Sequence, residues 1–236
     1  MAVQEIKTHV DYLLEHVPNL LELSILDLGS GRGRFLIDIA GRGGSAAGLE
    51  KNDDYIKETL DKAKQNNLRV KVLRGIAENL PFDDSAFDFV NFALVIEHIE
   101  DPNKAIKEMA RVMKINAKAY LGAPNRFSFK DPHFHLYFVN WLPRSLCDIF
   151  IDLFGKFKER PTKAGRQSLK EMHYFTFGEL KKILNENGFE IVDIREKKIR
   201  NFFNNKLLNF FPLLLYRIYR AMFCDSFHLL LTLVRK

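Results

Sequence analysis

Residues 25–35, Ile-Leu-Asp-Leu-Gly-Ser-Gly-Arg-Gly-Arg-Phe, decide the fold of this chain. An apolar run containing Asp27 breaks into glycines at alternate positions, 29, 31 and 33, and apolar residues at helical spacing follow from Phe35 to Ala40. The pattern predicts a buried strand, a tight turn and the N-terminus of a helix. In such a turn, free N–H groups and the positive end of the helix favour the anionic group of a ligand.

A second acid, Glu50, ends the next apolar run and stands 21 positions after Gly29. In doubly wound nucleotide-binding units an acid about 20 residues after the glycine turn binds the ribose hydroxyls. We therefore expect an adenosine-containing cofactor. The glycines are spaced G-x-G-x-G, with Arg34 where a dinucleotide site would have its third glycine. This spacing disfavours NAD. The alternative is an ordinary strand–turn–helix without a ligand.

Strands and helices alternate along most of the chain. Beyond the first strand, we predict strands over 45–50, 70–73, 87–94, 117–123, 189–194 and 227–234, and helices over 3–17, 53–66, 103–113 and 178–187. This alternation predicts an α/β fold in which a mostly parallel sheet carries helices on both faces. It lapses over 124–172, where 146–154 is predicted to be helical, and again over 201–225, which is also predicted to be helical.

Four further segments extend the pattern around residues 25–50. They are Arg74–Phe82 (RGIAENLPF), Phe87–Ile99 (FDFVNFALVIEHI), Glu108–Leu121 and His173–Thr176 (HYFT). With them, residues 22–124 and 172–236 resemble the class I S-adenosylmethionine-dependent methyltransferases, of the type 11 or type 23 kind. The resemblance implies a doubly wound, seven-stranded sheet of order 3-2-1-4-5-7-6. Its seventh strand is antiparallel, and helical insertions precede the sixth and seventh strands.

The resemblance also implies a set of cofactor-binding residues. The glycine turn faces the methionine part of S-adenosylmethionine, Glu50 holds the ribose diol, and the backbone N–H of Ala77 faces adenine. Ile76 departs from the family, which has an aspartate there, and one lost hydrogen bond to adenine corresponds to about 0.5–1.5 kcal/mol. The expected cofactor residues are Asp27, Gly29, Ser30, Gly31, Gly33, Glu50, Lys51, Ala77, Glu78 and Phe92.

Methyl transfer from a sulfonium requires alignment of the acceptor and often removal of its proton. We name His98 and His173 as candidate catalytic bases, because His98 follows the fourth strand and His173 matches a family position near the acceptor pocket. His133 and His135 could instead hold a lid by hydrogen bonds. Since no third ligand is evident, we expect no metal site. Motifs for exocyclic amines and pyrimidine carbon are missing, so we expect an oxygen acceptor, with nitrogen next.

The 236 residues predict a single domain over 1–236, with a substrate-facing or lid insertion at 125–172 and a basic, aromatic helical insertion at 198–225. Net charge is +6, yet 125–172 carries +4 and 195–236 carries +7, which leaves −5 for the remainder. Thirteen of the 21 phenylalanines lie in 125–160 and 201–227. Basic and aromatic side chains together favour a lipid headgroup or another anionic partner, and the alternative is an insertion with its own small core.

Several functions remain open on the sequence alone. The first is methylation of a hydroxyl on a sugar, a glycolipid or a small metabolite, either free in the cytoplasm or peripherally at the inner membrane face. The alternatives are a non-catalytic adenosine-binding or membrane-associating module and an NAD-dependent oxidoreductase. Nucleic acid is not expected as a partner, because no recognisable RNA- or DNA-binding module is present. The two cysteines have no metal spacing, and no signal peptide is evident.

Overall fold

A computed structural model describes residues 7–154, 167–202 and 206–235. In this part of the chain, seven strands form one sheet of order β3-β2-β1-β4-β5-β7-β6. The strands are β1 (Ile25–Leu28), β2 (Ala46–Glu50), β3 (Lys71–Arg74), β4 (Phe87–Ala93), β5 (Met113–Pro124), β6 (Phe189–Asp193) and β7 (Ser226–Leu233). The first five pair in parallel, and β7 pairs antiparallel with both β5 and β6. The predicted fold class and strand order are confirmed.

Helices surround the sheet. They are α1 (His9–Leu14), α2 (Arg34–Gly41), α3 (Asp53–Gln65), α4 (Pro102–Val112), α5 (Arg144–Phe154), α6 (Phe177–Glu186), α7 (Ile194–Phe202) and α8 (Lys206–Met222). Short 3₁₀ turns lie at Leu20–Glu22, Ile96–His98 and Val139–Trp141. No helix among the described residues is long and apolar enough to cross a bilayer.

Local sequence explains where the helices begin and end. The Asn52 side chain accepts hydrogen bonds from the backbone N–H groups of residues 54 and 55 and so caps α3, as its residue type predicts. Thr176 and Glu179 form a reciprocal capping box at α6. Gly188 follows α6 at φ +83°, a left-handed conformation that glycine adopts without steric cost.

The sheet is buried on both faces. Leu26 and Leu28 belong to a large apolar cluster with α4 and α6, whereas Ile25 belongs to a second cluster with α1 and α2. Successive side chains of a strand point to opposite faces, so the two clusters lie on opposite sides of the sheet. A third, smaller cluster lies mostly within 125–172: Phe134, Val139, Cys147, Ile151, Leu169 and Met172, joined by Tyr174 just beyond it. The predicted substrate-facing or lid insertion therefore has a small core of its own.

Three predictions about elements need correction. The N-terminal helix, predicted over 3–17, spans His9–Leu14 in the described residues, and positions 1–6 lie outside them. Strand β5 begins at Met113 instead of 117, because residues 115–117 form an irregularity within the strand, with Asn116 at φ +65°. The helix predicted over 201–225 is two helices, and the first already begins at Ile194.

Candidate functional site

A cavity of about 1360 Å³ opens at the carboxyl ends of β1, β2 and β4. The strand order reverses between β1 and β4, and ligands of doubly wound sheets bind at such a point. The glycine turn, the loop after β3 and the 3₁₀ turn after β4 line one side. Residues of the predicted insertion, among them His133, Phe134 and Met172, line the other. The cavity therefore joins the predicted cofactor side to the predicted acceptor side.

The glycine turn differs from the prediction in one respect: its amides are not free. The N–H groups of Gly29 and Ser30 both donate to the Leu49 carbonyl oxygen, at 2.9 and 3.0 Å, and that of Gly33 donates to the Ser30 carbonyl oxygen. The Gly31 N–H donates to the Glu50 carboxylate at 2.9 Å. Leu49 and Glu50 belong to the adjacent strand β2, so the acceptors for Gly29, Ser30 and Gly31 are long-range partners that the local motif does not show.

Gly31 provides close access to the backbone. Its φ is +51°, and a Cβ atom built on it would meet no heavy atom within 4 Å. Gly29 is different, because a Cβ there would lie 2.6 Å from Val95 Cγ1. Glycine is thus required by packing at position 29, whereas at position 31 it leaves open space at the cavity wall.

The Glu50 carboxylate is held in one orientation at the end of β2. Its Oε2 atom accepts from Gly31, and its Oε1 atom accepts from the backbone N–H groups of Lys51 and Asn52, each at 2.9 Å. The residue is buried yet borders the cavity. A fixed carboxylate beside a bare stretch of backbone is suited to bind a diol and an amino-acid tail together.

Six of the ten expected cofactor residues line the cavity: Gly29, Gly31, Glu50, Lys51, Ala77 and Glu78. Asp27, Ser30, Gly33 and Phe92 are not among the described lining residues. Phe92 is fully buried in the cluster that contains Leu26. Gly33 packs on α3, where a Cβ would lie 2.2 Å from Thr59 Cγ2. The buried Ser30 Oγ has no hydrogen-bond partner among the described residues.

Asp27 lies beneath the glycine turn and is buried. Burial raises the pKa of its carboxyl group from 3.8 to about 7, although a 2.7 Å hydrogen bond from Asn91 Nδ2 opposes this effect. Asn91 Oδ1 in turn lies 2.9 Å from His9 Nε2. Asp27 is thus part of a buried polar chain that supports the turn from below.

The loop after β3 closes the cavity beside Glu50. Ile76 is half exposed at the cavity wall, and Ala77 is buried next to it. The Glu78 carboxylate accepts hydrogen bonds from the backbone N–H groups of Glu100 and Asp101, which ties the loop to the segment after β4. Arg111 fixes the far end of the loop by donating to the carbonyl oxygens of residues 80 and 82.

The candidate base His98 belongs to a cluster with Glu97 and His133. The two imidazole rings meet edge to face, with centroids 5.1 Å apart. Glu97 Oε1 lies 3.5 Å from His133 Nε2 and 3.9 Å from His98 Nε2. Glu97 is completely buried, and burial raises the pKa of its carboxyl group from 4.5 to about 7. Burial, and to a lesser extent the neighbouring His98, lower the pKa of His133.

Two other histidines border the same cavity. His173 lines it, and its backbone N–H donates to the Glu97 carbonyl oxygen at 2.9 Å. His135 also lines it, with a left-handed φ of +56°. Sequence reasoning named all four histidines but did not name Glu97, although the residue lies in the quoted segment 87–99. It also missed Tyr55, Gln167 and Lys170, which line the cavity from outside the motifs.

Comparison with known proteins places this geometry in a family. Residues 26–121 match the family model described as a methyltransferase domain. Over these residues the chain resembles a class I S-adenosylmethionine-dependent methyltransferase domain. The biotin biosynthesis bifunctional protein BioHC of Cellvibrio japonicus is 36% identical over 111 residues, which cover 46% of this chain and 21% of that protein. The ubiquinone/menaquinone biosynthesis C-methyltransferase UbiE of Rickettsia bellii is 34% identical over 113 residues, which cover 44% and 45%.

The fold of the methyltransferase core is shared with solved structures. An S-adenosylmethionine-dependent methyltransferase from Methanosarcina mazei aligns with a TM-score of 0.61 at 22% identity, over 94% of this chain and 98% of that one. The chain spans about half or less of the length of the two curated relatives named above.

S-Adenosylmethionine is the cofactor of this family, and the residues present fit it. Gly31 leaves open space beside its backbone that a side chain would occupy, and the oriented Glu50 carboxylate borders this space. The departure at Ile76 leaves the adenine side with backbone groups and an apolar surface. When bound, the cofactor supplies an electrophilic methyl group on a sulfonium.

Proposed function

We propose that this chain is an S-adenosylmethionine-dependent methyltransferase that transfers the methyl group to an oxygen atom of an amphipathic acceptor, such as a glycolipid. The observation that supports the proposal is a single cavity that is lined by Gly31 and Glu50 and also by His98 and His173. Sugars and small metabolites with a free hydroxyl group belong to the same acceptor class, and nitrogen is the next acceptor atom.

Gly31 and Glu50 hold the cofactor in this proposal. Glu50 binds the ribose diol, and the bare backbone at Gly31 allows the amino-acid tail to approach. The Gly31 N–H donates to the Glu50 carboxylate, so a ligand that binds between them replaces this hydrogen bond with hydrogen bonds to the ligand. Exchange of this kind favours a ligand that offers both a donor and an acceptor.

His98 or His173 acts as the base. A neutral imidazole nitrogen would take the proton of the acceptor hydroxyl, and the cofactor, when bound, would supply the methyl group. The histidine would then release that proton to water.

The acceptor side of the cavity favours a partly apolar molecule. Leu94, Val95, Ile99, Phe134 and Met172 line it, and no arginine or asparagine is among the described lining residues. A purely polar sugar would leave these side chains against water, whereas a lipid or prenyl group would bury them.

Two exposed helical faces support the proposal that this protein contacts a membrane peripherally. On α5, Leu153 is 71% exposed, and Leu146, Ile149 and Phe154 are exposed beside it. On α8, Phe210 is 69% exposed, together with Phe211, Leu214, Leu215, Ile218, Tyr219 and Met222. Apolar side chains beside an excess of basic residues are typical of helices that lie in the membrane interface, and α8 has three basic residues and no acidic one. Helix α5 has the apolar face without a basic excess, since Arg144 is outnumbered by Asp148 and Asp152. These faces support our proposal that the protein contacts the inner face of a membrane from the cytoplasm.

Cofactor binding is the first test, by isothermal titration with S-adenosylmethionine. Gly31→Arg should abolish binding, because its side chain extends from the cavity wall. Gly43→Arg is the matched control: Gly43 also has a positive φ, +83°, and open space around it, but it does not border the cavity among the described residues. Glu50→Gln should weaken binding. Equal binding by all three variants would refute the proposed cofactor site.

Acceptor chemistry is tested with carbon-13-labelled methyl groups on the cofactor and a panel of glycolipids, sugars and phenols. The chemical shift of the labelled methyl group in the product distinguishes oxygen, nitrogen and carbon acceptors. A carbon acceptor is the competing outcome, since the relative UbiE is named a C-methyltransferase. Transfer to carbon alone would overturn the oxygen assignment and leave the methyltransferase assignment intact.

Membrane contact is tested by co-sedimentation with anionic phosphatidylglycerol vesicles. Phe211→Glu on α8 should reduce the bound fraction, whereas Leu60→Glu, a change at an exposed leucine of α3, should not. An equal bound fraction for both variants would contradict the contribution of α8.

A further inference from the structure

Glu97, His98 and His133 bring three potential metal ligands together at the cavity. Glu97 and His98 come from the 3₁₀ turn after β4, and His133 comes from the insertion. One ligand atom from each residue lies within 4.8 Å of the other two. From the residue pattern we expect no metal site, because His133 and His135 have no evident third ligand, and His135 is not part of this cluster. The structure instead brings His133 to His98 and adds Glu97 as the third group.

The hydrogen bonds of His133 determine its tautomer. Tyr174 donates its hydroxyl proton to Asp131 Oδ2 at 2.9 Å, so its oxygen is left to accept from His133 Nδ1 at 2.7 Å. The Nδ1 atom therefore carries the proton in the neutral ring. His133 Nε2, which faces Glu97, has a free lone pair.

His98 is arranged in the same way. Its Nδ1 atom lies 2.8 Å from Gln167 Oε1, and Gln167 Nε2 donates to the Glu171 carbonyl oxygen on the other side. Because an amide oxygen only accepts, His98 Nδ1 must donate. Its Nε2 atom also turns a lone pair toward Glu97, 3.9 Å from Oε1.

The Glu97 carboxylate completes the cluster. It is completely buried, and neither of its oxygens has a hydrogen-bond partner among the described residues. A buried carboxylate without a partner is costly, so such groups are normally paired or coordinate a metal. Two imidazole lone pairs and a carboxylate oxygen converge here without a donor between them.

We propose that Glu97, His98 and His133 bind a divalent first-row transition metal ion, with Zn²⁺ as the best match. Imidazole nitrogens and a carboxylate oxygen suit zinc, and a pair of histidines with one acid leaves a fourth position open. Tetrahedral ligands about 2.0–2.1 Å from zinc lie roughly 3.3 Å apart. The observed separations from Glu97 Oε1 are 3.5 and 3.9 Å, so small side-chain rotations close the site.

The outer partners match those of metal-binding histidines. Such histidines usually donate their second ring N–H to a carboxylate, a carbonyl oxygen or a similar acceptor, which fixes the ring. Gln167 has this role for His98, and Tyr174, backed by Asp131, has it for His133. His98 and His133 line the cavity, so the fourth position is accessible to a water molecule or an acceptor hydroxyl oxygen. That role for the metal rests on the proposed methyltransferase function, whereas metal binding itself does not. With the ion bound, both ring nitrogens of His98 are occupied, so His173 is the base.

The test is isothermal titration of the full chain with Zn²⁺, without S-adenosylmethionine. One ion per chain should bind. Glu97→Gln and His133→Asn should each abolish that site. Tyr174→Phe removes an outer partner and should weaken binding by about 10–100-fold. His135→Asn is the matched control, since it removes a nearby cavity histidine, and asparagine tolerates the left-handed φ at that position.

A second measurement separates a lost ligand from a lost fold. Cobalt(II) bound to the unmodified chain should give the intense visible absorption of a four-coordinate site, and circular dichroism should show that Glu97→Gln remains folded. Zinc binding unchanged by Glu97→Gln, or no binding to the unmodified chain, would overturn the proposal in favour of a proton shared within the cluster. Zinc binding without S-adenosylmethionine binding would refute the proposed function and leave the metal site standing.

Discussion

Replacing Asp27 with asparagine should change how the stability of this protein depends on pH. Asp27 is 3% exposed, and burial raises the pKa of its carboxyl group to about 7 from 3.8. Asparagine has nearly the same shape, and its side-chain oxygen can still accept the 2.7 Å hydrogen bond from Asn91 Nδ2. The substitution therefore removes a titration and conserves the packing.

The sign follows from linkage. The folded chain holds a proton on Asp27 up to about pH 7, whereas the unfolded chain releases it near 3.8. The contribution to stability is complete below the lower pKa and is lost as pH rises through the higher one. At about 1.4 kcal/mol for each pKa unit, the loss between these limits is at most roughly 4 kcal/mol.

The assay is urea denaturation of both proteins from about pH 4 to about pH 8, where the window of this linkage lies. The unmodified chain should lose stability relative to Asp27→Asn across that range, because all other titrations cancel in the difference. Asp83→Asn, at an exposed position, should run parallel to the unmodified chain. A constant difference between the unmodified chain and Asp27→Asn would refute the assignment of a protonated, buried Asp27.

Three further substitutions test the frame around the cavity. Gly33→Ala should cost about 1–3 kcal/mol in urea denaturation, because its Cβ would lie 2.2 Å from Thr59 Cγ2; an unchanged midpoint would contradict this packing. Arg111→Ala should cost about 1.5–3 kcal/mol and raise the Kd for S-adenosylmethionine, since Arg111 fixes the loop over 80–84; unchanged calorimetry and melting would refute that role. Asn52→Ala should cost about 1 kcal/mol by thermal unfolding, and no loss would mean that the cap of α3 is dispensable.

Sequence reasoning located the sheet because its signals are local. Glycines at alternate positions, an acid at the end of the second strand and a capping asparagine each act within a few residues. The antiparallel β7 was also placed correctly, from its apolar run and from the resemblance. Strand β5 begins before the predicted position 117, because the chain continues through the left-handed Asn116 and the apolar pattern starts only after that residue.

The site was less accessible from sequence because its contacts are long-range. The amides of the glycine turn find their acceptors on β2, so the motif alone suggested free donors. Phe92 lies in a matching motif, yet its side chain is buried in the core because alternate residues of a strand face opposite ways. Glu97 and His133 are 36 positions apart, and their meeting depends on how the insertion folds onto the sheet.

The division of the cavity between two structural sources has an evolutionary consequence. The strand ends carry everything assigned to S-adenosylmethionine, while His133, Phe134 and Met172 all come from one inserted stretch with its own small hydrophobic nucleus. Related proteins can therefore acquire new acceptors through changes in that stretch, without any change in the residues at the strand ends. Transfer of the inserted stretch to a distant relative would transfer acceptor selectivity, provided that the recipient has the equivalents of Glu97 and His98, which the insertion contacts through His133.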